Sequence, residues 1–166
     1  MKQIEVKTSV KEYDSIHNLS NEDEQLLEEA GKVVDHAYAP YSRFSVGASV
    51  LLENGVVVTG NNQENASYPI GLCAERVALF AAVANNPDLK IKAIAITARS
   101  NKFLINKPIT PCGACRQVIA EYEHRQQMPI QIIMAGESGK VWLADSIKSL
   151  LPFSFSSDDL KVKIEL

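Results

Sequence analysis

The chain has 166 residues, 46% of them hydrophobic, a formal net charge of −3 and three cysteines. Those figures describe one ordinary globular domain, with no apolar run long enough to span a bilayer. The slightly acidic balance argues against nucleic acid as the main partner, and three thiols do not make a secreted disulfide framework.

Residues 1–19 alternate charged and apolar positions at Ile4 and Val6 and carry no signal-peptide core. They are set apart as an N-terminal extension ahead of a single domain over 20–166, and nothing in them points to export, so a cytoplasmic location is expected. Ser20, followed by Glu22, Asp23 and Glu24, starts a helix whose dipole favours those acids. Leu26, Leu27, Ala30, Val33, Val34 and Ala37 keep helical spacing until Pro40 ends the pattern. Apolar runs at 46–52 and 56–59 flank Glu53-Asn54-Gly55, the signature of a hairpin. A second helix is expected over 74–84, a strand buried on both faces over 91–98, and a third helix over 113–124. Strands follow at 130–134 and 141–143, then a short helix from Asp145 to 151. The expected fold class is α/β: a three-layer αβα sandwich with a mixed five-stranded sheet.

All three cysteines fall in two segments, Cys73-Ala74-Glu75-Arg76 and Pro111-Cys112-Gly113-Ala114-Cys115. Three thiolates hold one tetrahedral zinc and leave its fourth position open to water. Glu75 is placed to move protons to and from that water, which makes the centre hydrolytic rather than structural. A redox pair would leave the third cysteine unexplained. A structural zinc would need a fourth ligand, and His17, His36 and His124 all lack close ligand spacing to a cysteine. Cys73 and Cys112 both stand where a helix is expected to begin, and helix N-termini stabilise thiolates.

Together with Arg116-Gln117, these segments resemble the zinc site of the cytidine deaminase family, the small homotetrameric type. Three further strings share the resemblance: Tyr41-Ser42-Arg43-Phe44-Ser45-Val46-Gly47-Ala48, Asn62-Gln63-Glu64-Asn65-Ala66-Ser67-Tyr68, and Leu150-Leu151-Pro152-Phe153-Ser154-Phe155. The likeness covers about residues 20–160 and implies one Zn2+ per chain on Cys73, Cys112 and Cys115. It implies hydroxide attack at C4 of cytosine, with Glu75 as the catalytic proton shuttle. It also implies a nucleoside pocket of Phe44 against the pyrimidine, Asn62 and Glu64 at the ribose, and the Ala74 N–H and Thr110 carbonyl at the base. Ala66, Tyr68 and Phe155 would reach a neighbouring subunit's site in a homotetramer, with Phe153 as the rival for the last position. Arg76 and Gln117 are expected to hydrogen-bond the sulfurs and withdraw charge from them.

The resemblance implies hydrolytic deamination of cytidine and 2'-deoxycytidine in pyrimidine salvage. One rival is a deaminase of the same fold acting on another aminopyrimidine nucleoside or antibiotic. Another is a zinc-bound scaffold without turnover, which would have no use for Glu75. No membrane or nucleic-acid partner is expected.

Overall fold

Ser20 takes an extended backbone and its Oγ accepts the N–H of Asp23 at 3.2 Å, so α1 (Asn21–Val33) begins at the capping serine. The computed structural model describes residues 1–160, and the last six residues of the expected domain lie outside the described residues. α1 ends before Pro40, running through a single 3-10 turn over Val34–His36.

The strands are β1 (Lys11–Tyr13), β2 (Phe44–Leu52), β3 (Val57–Asn61), β4 (Ile91–Ser100), β5 (Gln131–Ala135) and β6 (Val141–Ala144). They form one sheet in the order β1-β6-β5-β4-β2-β3. The sheet therefore has six strands rather than the five expected, and the extra one comes from the N-terminal extension. It is not the alternating stretch at Ile4 and Val6, whose side chains are exposed. It is Lys11–Tyr13, held on the open edge of β6 by cross-strand pairs. Lys11 Nζ donates to Asp145 Oδ1 at 2.7 Å, Trp142 Nε1 donates to Glu12 Oε2 at 2.8 Å, and Lys140 also pairs with Glu12. No periodicity could mark a three-residue strand whose fit depends on a partner more than a hundred residues away.

A second difference concerns the segment after β6. The helix expected from Asp145 is one 3-10 turn, Ile147–Ser149, capped by Ser146, whose Oγ accepts from the Lys148 N–H at 3.2 Å. Asp145 is taken by Lys11 instead, and Glu123 accepts the Ile147 N–H at 2.9 Å.

Period-two alternation divides the sheet between two cores. Leu26, Leu27 and Ala30 of α1 pack on Ala93, Ala95, Ile133 and Leu143. The other face carries Ala48, Val50, Ile94, Ile96, Ile132 and Met134 under α2 (Ala74–Asn85) and α3 (Gly113–Gln126). Both faces are covered, which is why 91–98 reads as continuous apolar sequence.

The topology also fixes where the helices begin. β3 and β4 are both antiparallel to β2 and so run the same way. α2 follows β3 and α3 follows β4, so both helices start at the same end of the sheet. α3 lies in the connection from β4 to its parallel neighbour β5. Crevices at the carboxyl ends of such strands are where open α/β sheets bind ligands.

Candidate metal centre and substrate cavity

Cys73 is the N-cap of α2 and Cys112 the N-cap of α3, both with extended backbone and neither making a side-chain cap. A Ser, Thr, Asp or Asn would be the usual choice at such a position. Sulfur there makes no cap hydrogen bond and stands in the positive field of a helix start. Cys115 stands in the first turn of α3 and is buried. The shared starting edge of α2 and α3 brings the three together. Cys73 Sγ and Cys112 Sγ are 3.8 Å apart, and Cys112 Sγ and Cys115 Sγ are 3.5 Å apart.

Tetrahedral zinc with sulfur at about 2.3 Å sets its ligands about 3.8 Å from one another. The trio fits that spacing, and among the described residues it is the group of three metal-ligating side chains that converges on one point. The Cys73 thiol is pulled down to about 5 by hydrogen bonding from Cys115, against desolvation and with help from Arg76. The Cys115 thiol is pushed up, because it serves as the donor to Cys73 and is buried.

Glu75 sits in the first turn of α2 and is 4% exposed, in a layer otherwise made of alanine and leucine. Desolvation raises its pKa above the ordinary carboxylate value, and the negative charge on Cys73 adds to the shift. Arg76 Nη2 lies 3.8 Å from Cys73 Sγ and 3.4 Å from the Gly71 carbonyl it donates to. Its Nε is buried without a partner among the described residues. Gln117 takes a different position from the one the motif suggests. Its Nε2 donates to the Phe155 carbonyl at 2.7 Å, and no sulfur is its partner among the described residues.

A cavity of about 690 Å³ opens beside the sulfurs. Phe44, Asn62, Glu64, Tyr68, Cys73, Glu75, Thr110 and Cys112 all line it. Ala66 and Phe155 do not, and both are exposed on this chain. Ala74 is fully buried at the helix start behind the cavity wall. The Gln63 backbone bridges Leu72 on one side and Tyr38 on the other, which holds 62–64 extended. Asn62 and Glu64 then project alike into the cavity. Asn62 Oδ1 accepts from Val46 N at 2.8 Å and its Nδ2 donates to the Phe44 carbonyl at 2.9 Å. Glu64 Oε2 accepts from Tyr41 N at 2.9 Å and Ser42 N at 3.2 Å. Burial pushes the Glu64 carboxyl up, but the Ser42 side chain and these two N–H groups outweigh it and hold the pKa below its usual value. The pair thus shapes the 41–46 segment, including Arg43 with its left-handed φ of 55°.

Sequence reasoning quoted Arg116 in the motif and gave it no role. Its Nε donates to the Pro111 carbonyl at 2.8 Å, its Nη1 to the Leu150 carbonyl at 3.0 Å and its Nη2 to Thr110 Oγ1 at 3.3 Å. It ties the metal loop to the C-terminal tail. Leu72 and Ile109 were missed and supply apolar wall. Only their adjacency to Cys73 and Thr110 could have signalled them.

Three comparisons bear on this geometry. The sequence profile described as the cytidine and deoxycytidylate deaminase zinc-binding region matches residues 20–129. A cytidine deaminase of Sporosarcina psychrophila is 40% identical over 143 residues, covering 86% of this chain and 97% of the relative. One of Mycobacterium tuberculosis is 37% identical over 127 residues, covering 75% of this chain and 82% of the relative. Among solved structures, a cytidine deaminase from Burkholderia pseudomallei superposes with a TM-score of 0.68 at 39% identity, covering 79% of this chain and 97% of that one.

Proposed function

Since the chain belongs to the cytidine and deoxycytidylate deaminase family, we propose that it converts cytidine and 2'-deoxycytidine, with water, to uridine and 2'-deoxyuridine with release of ammonia. The observation that carries this reading is a buried carboxylate, Glu75, beside three converging sulfurs in a nucleoside-sized cavity.

The protein is a zinc enzyme. Cys73, Cys112 and Cys115 would hold the zinc, which would supply Lewis-acid activation of water. Glu75 takes a proton from water as it adds to C4 and delivers it to ring N3, then takes the proton of the new C4 hydroxyl and gives it to the amine, which leaves as ammonia while the C4 carbonyl forms. Its raised pKa suits a group that must both accept and give a proton near neutrality. The Ala74 N–H, a first-turn donor of α2 with no hydrogen-bond partner among the described residues, would meet the pyrimidine carbonyl. The Thr110 carbonyl accepts from the leaving amine, Phe44 packs on the ring, and Asn62 and Glu64 meet the ribose. Arg76 draws charge from Cys73 Sγ.

No lysine or arginine lines the cavity among the described residues. A substrate phosphate would therefore lack a counter-charge, which favours the free nucleoside over the nucleotide. Conversion of free nucleosides to uridine would serve pyrimidine salvage, and thiols used for metal binding fit a reducing cytoplasm. No described helix is long and apolar enough to cross a membrane.

Assembly belongs to the same reading. α2 carries no charge beyond Glu75 and Arg76, and it leaves Phe80 42% exposed on its outer side. A helix apolar on its outer face is one that expects cover. Tyr68, Phe153 and Phe155 are also exposed around the site. A homotetramer whose interfaces cover these residues and that shares Ala66, Tyr68 and Phe155 between sites accounts for the exposure, with Tyr68 also lining the cavity of its own chain. Ultraviolet monitoring of cytidine turnover, with zinc analysis of the same sample, tests the proposal. Glu75→Gln should keep its zinc and lose about a hundredfold to ten-thousandfold in rate. Near-normal turnover by that variant would overturn the role.

A further inference from the structure

The tail after Leu150 presents an unusual combination. Its aromatic rings are exposed, Phe153 at 76% and Phe155 at 58%, yet its backbone and polar groups are tied down. Free tails with exposed rings normally have neither tie. Here two of the ties are side chains of α3, the helix that starts at two metal ligands.

Gln117 and His124 are the two fixed points. They are seven residues apart, so they lie on one helix face about 10 Å from each other. Gln117 Nε2 donates to the Phe155 carbonyl at 2.7 Å. His124 Nε2 and Ser157 Oγ share a hydrogen bond of 2.9 Å, and Asp158 Oδ1 stands 3.8 Å from the same nitrogen. Between and beyond these points the tail folds on itself. The Ser156 N–H donates to Asp159 Oδ2 at 2.8 Å, and the Asp159 N–H returns to the Ser156 carbonyl at 3.1 Å. The carboxylate of Asp159 reaching back to the Ser156 N–H is half of a capping box, and the backbone bond closes 156–159 as a turn.

We propose that Gln117 and His124 are positioning residues for substrate binding. They form a two-point clamp on α3 that fixes the tail and so sets where the Phe155 ring stands for a neighbouring subunit's pocket. The inference rests on the reading that Phe155 completes that pocket. Neither residue touches the cavity or the sulfurs, so the clamp acts through the tail alone. A held backbone with a bare ring is what presentation to a partner requires. The ordering cost of the tail is met before association rather than during it. It also gives Gln117 an occupation other than the sulfurs.

His124 gives the cleaner test, since Gln117 lies two residues from Cys115. His124→Ala, Ser157→Ala, the double variant, His124→Gln and Phe155→Ala would be compared as full-length zinc-loaded enzymes. The readouts are kcat, KM for cytidine, zinc content and hydrogen–deuterium exchange of the tail peptide. The expected result is faster tail exchange and a KM raised about two- to tenfold in His124→Ala, the factor one net hydrogen bond carries. kcat and zinc should stay within twofold of the starting protein. The double variant should be no worse than either single one, and His124→Gln should recover most of the KM. Unchanged tail exchange or unchanged KM in both His124→Ala and Ser157→Ala, while Phe155→Ala raises KM, would overturn the clamp and leave the shared pocket standing. An unchanged KM in Phe155→Ala would overturn the shared pocket and the clamp's purpose with it. Loss of zinc or kcat in His124→Ala would mark a structural role and overturn the proposal too.

Discussion

Gly60→Ala should disable this protein by moving a helix. Gly60 lies on β3, directly under the first turns of α2. A Cβ built there would stand 2.5 Å from the Ala78 nitrogen and 2.9 Å from the Ala74 carbonyl oxygen, where ordinary contact begins at 3.4 Å. Both obstacles are backbone, so no side chain can swing aside. The helix must back away by about 0.9 Å, and the turn that moves carries Cys73 and Glu75. Overpacking of this kind costs about 1–3 kcal/mol, and in a domain of this size each kcal/mol lowers Tm by about 2–4 °C. Displacing a catalytic group by about 1 Å costs on the order of a hundredfold in rate. The assay is cytidine deamination followed by ultraviolet absorbance, with a thermal melt of the same sample. Gly31→Ala is the matched control. It lies in α1 with nothing within 4 Å of the added methyl, so the same chemical change should stabilise by about 0.5–1 kcal/mol and leave turnover alone. If Gly60→Ala kept both its Tm and its kcat/KM, the close approach would not be what seats α2.

Glu123→Ala should lower the melting temperature by about 6–12 °C. The change strips the acceptor from the buried Ile130 and Ile147 N–H groups and from the Ser146 hydroxyl, a loss of about 3 kcal/mol. A melt within 2 °C of the starting protein (about 1 kcal/mol) would contradict it. Arg76→Ala should release zinc to a chelator about ten- to a hundredfold more readily, because it removes the cation that faces Cys73 Sγ. Unchanged zinc retention would leave Arg76 without that role. The Glu64 carboxyl has a lowered pKa in the folded protein, so its stabilisation is present above the ordinary carboxylate pKa and is lost as pH falls through the lowered one. A melt comparison with Glu64→Gln should show a gap at pH 7 that starts to shrink near the ordinary carboxylate value of about 4.3 and closes below the lowered pKa. A gap independent of pH would refute the charge effect.

The sequence by itself determined the chemistry and the layers. Cys73, Cys112, Cys115 and Glu75 are legible because few donor sets suit zinc, and these spacings put sulfur at the start of expected helices. The cores are legible because apolar periods of two and of 3.6 leave one way to bury Ala93 to Ile96 and Leu26 to Ala30. The tertiary structure decided everything that depends on contacts between distant segments. β1 is a strand because it pairs with β6, where Trp142 and Lys140 hold Glu12 and Asp145 holds Lys11. Asp145 caps nothing because Lys11 takes it. Glu123, in a run of charges that reads as solvated surface, is buried because two loop N–H groups converge on it. Gln117 holds the tail carbonyl although it neighbours a metal ligand. Local pattern records what a residue prefers, whereas a hydrogen-bond partner is chosen by which groups the sheet order leaves within about 3 Å.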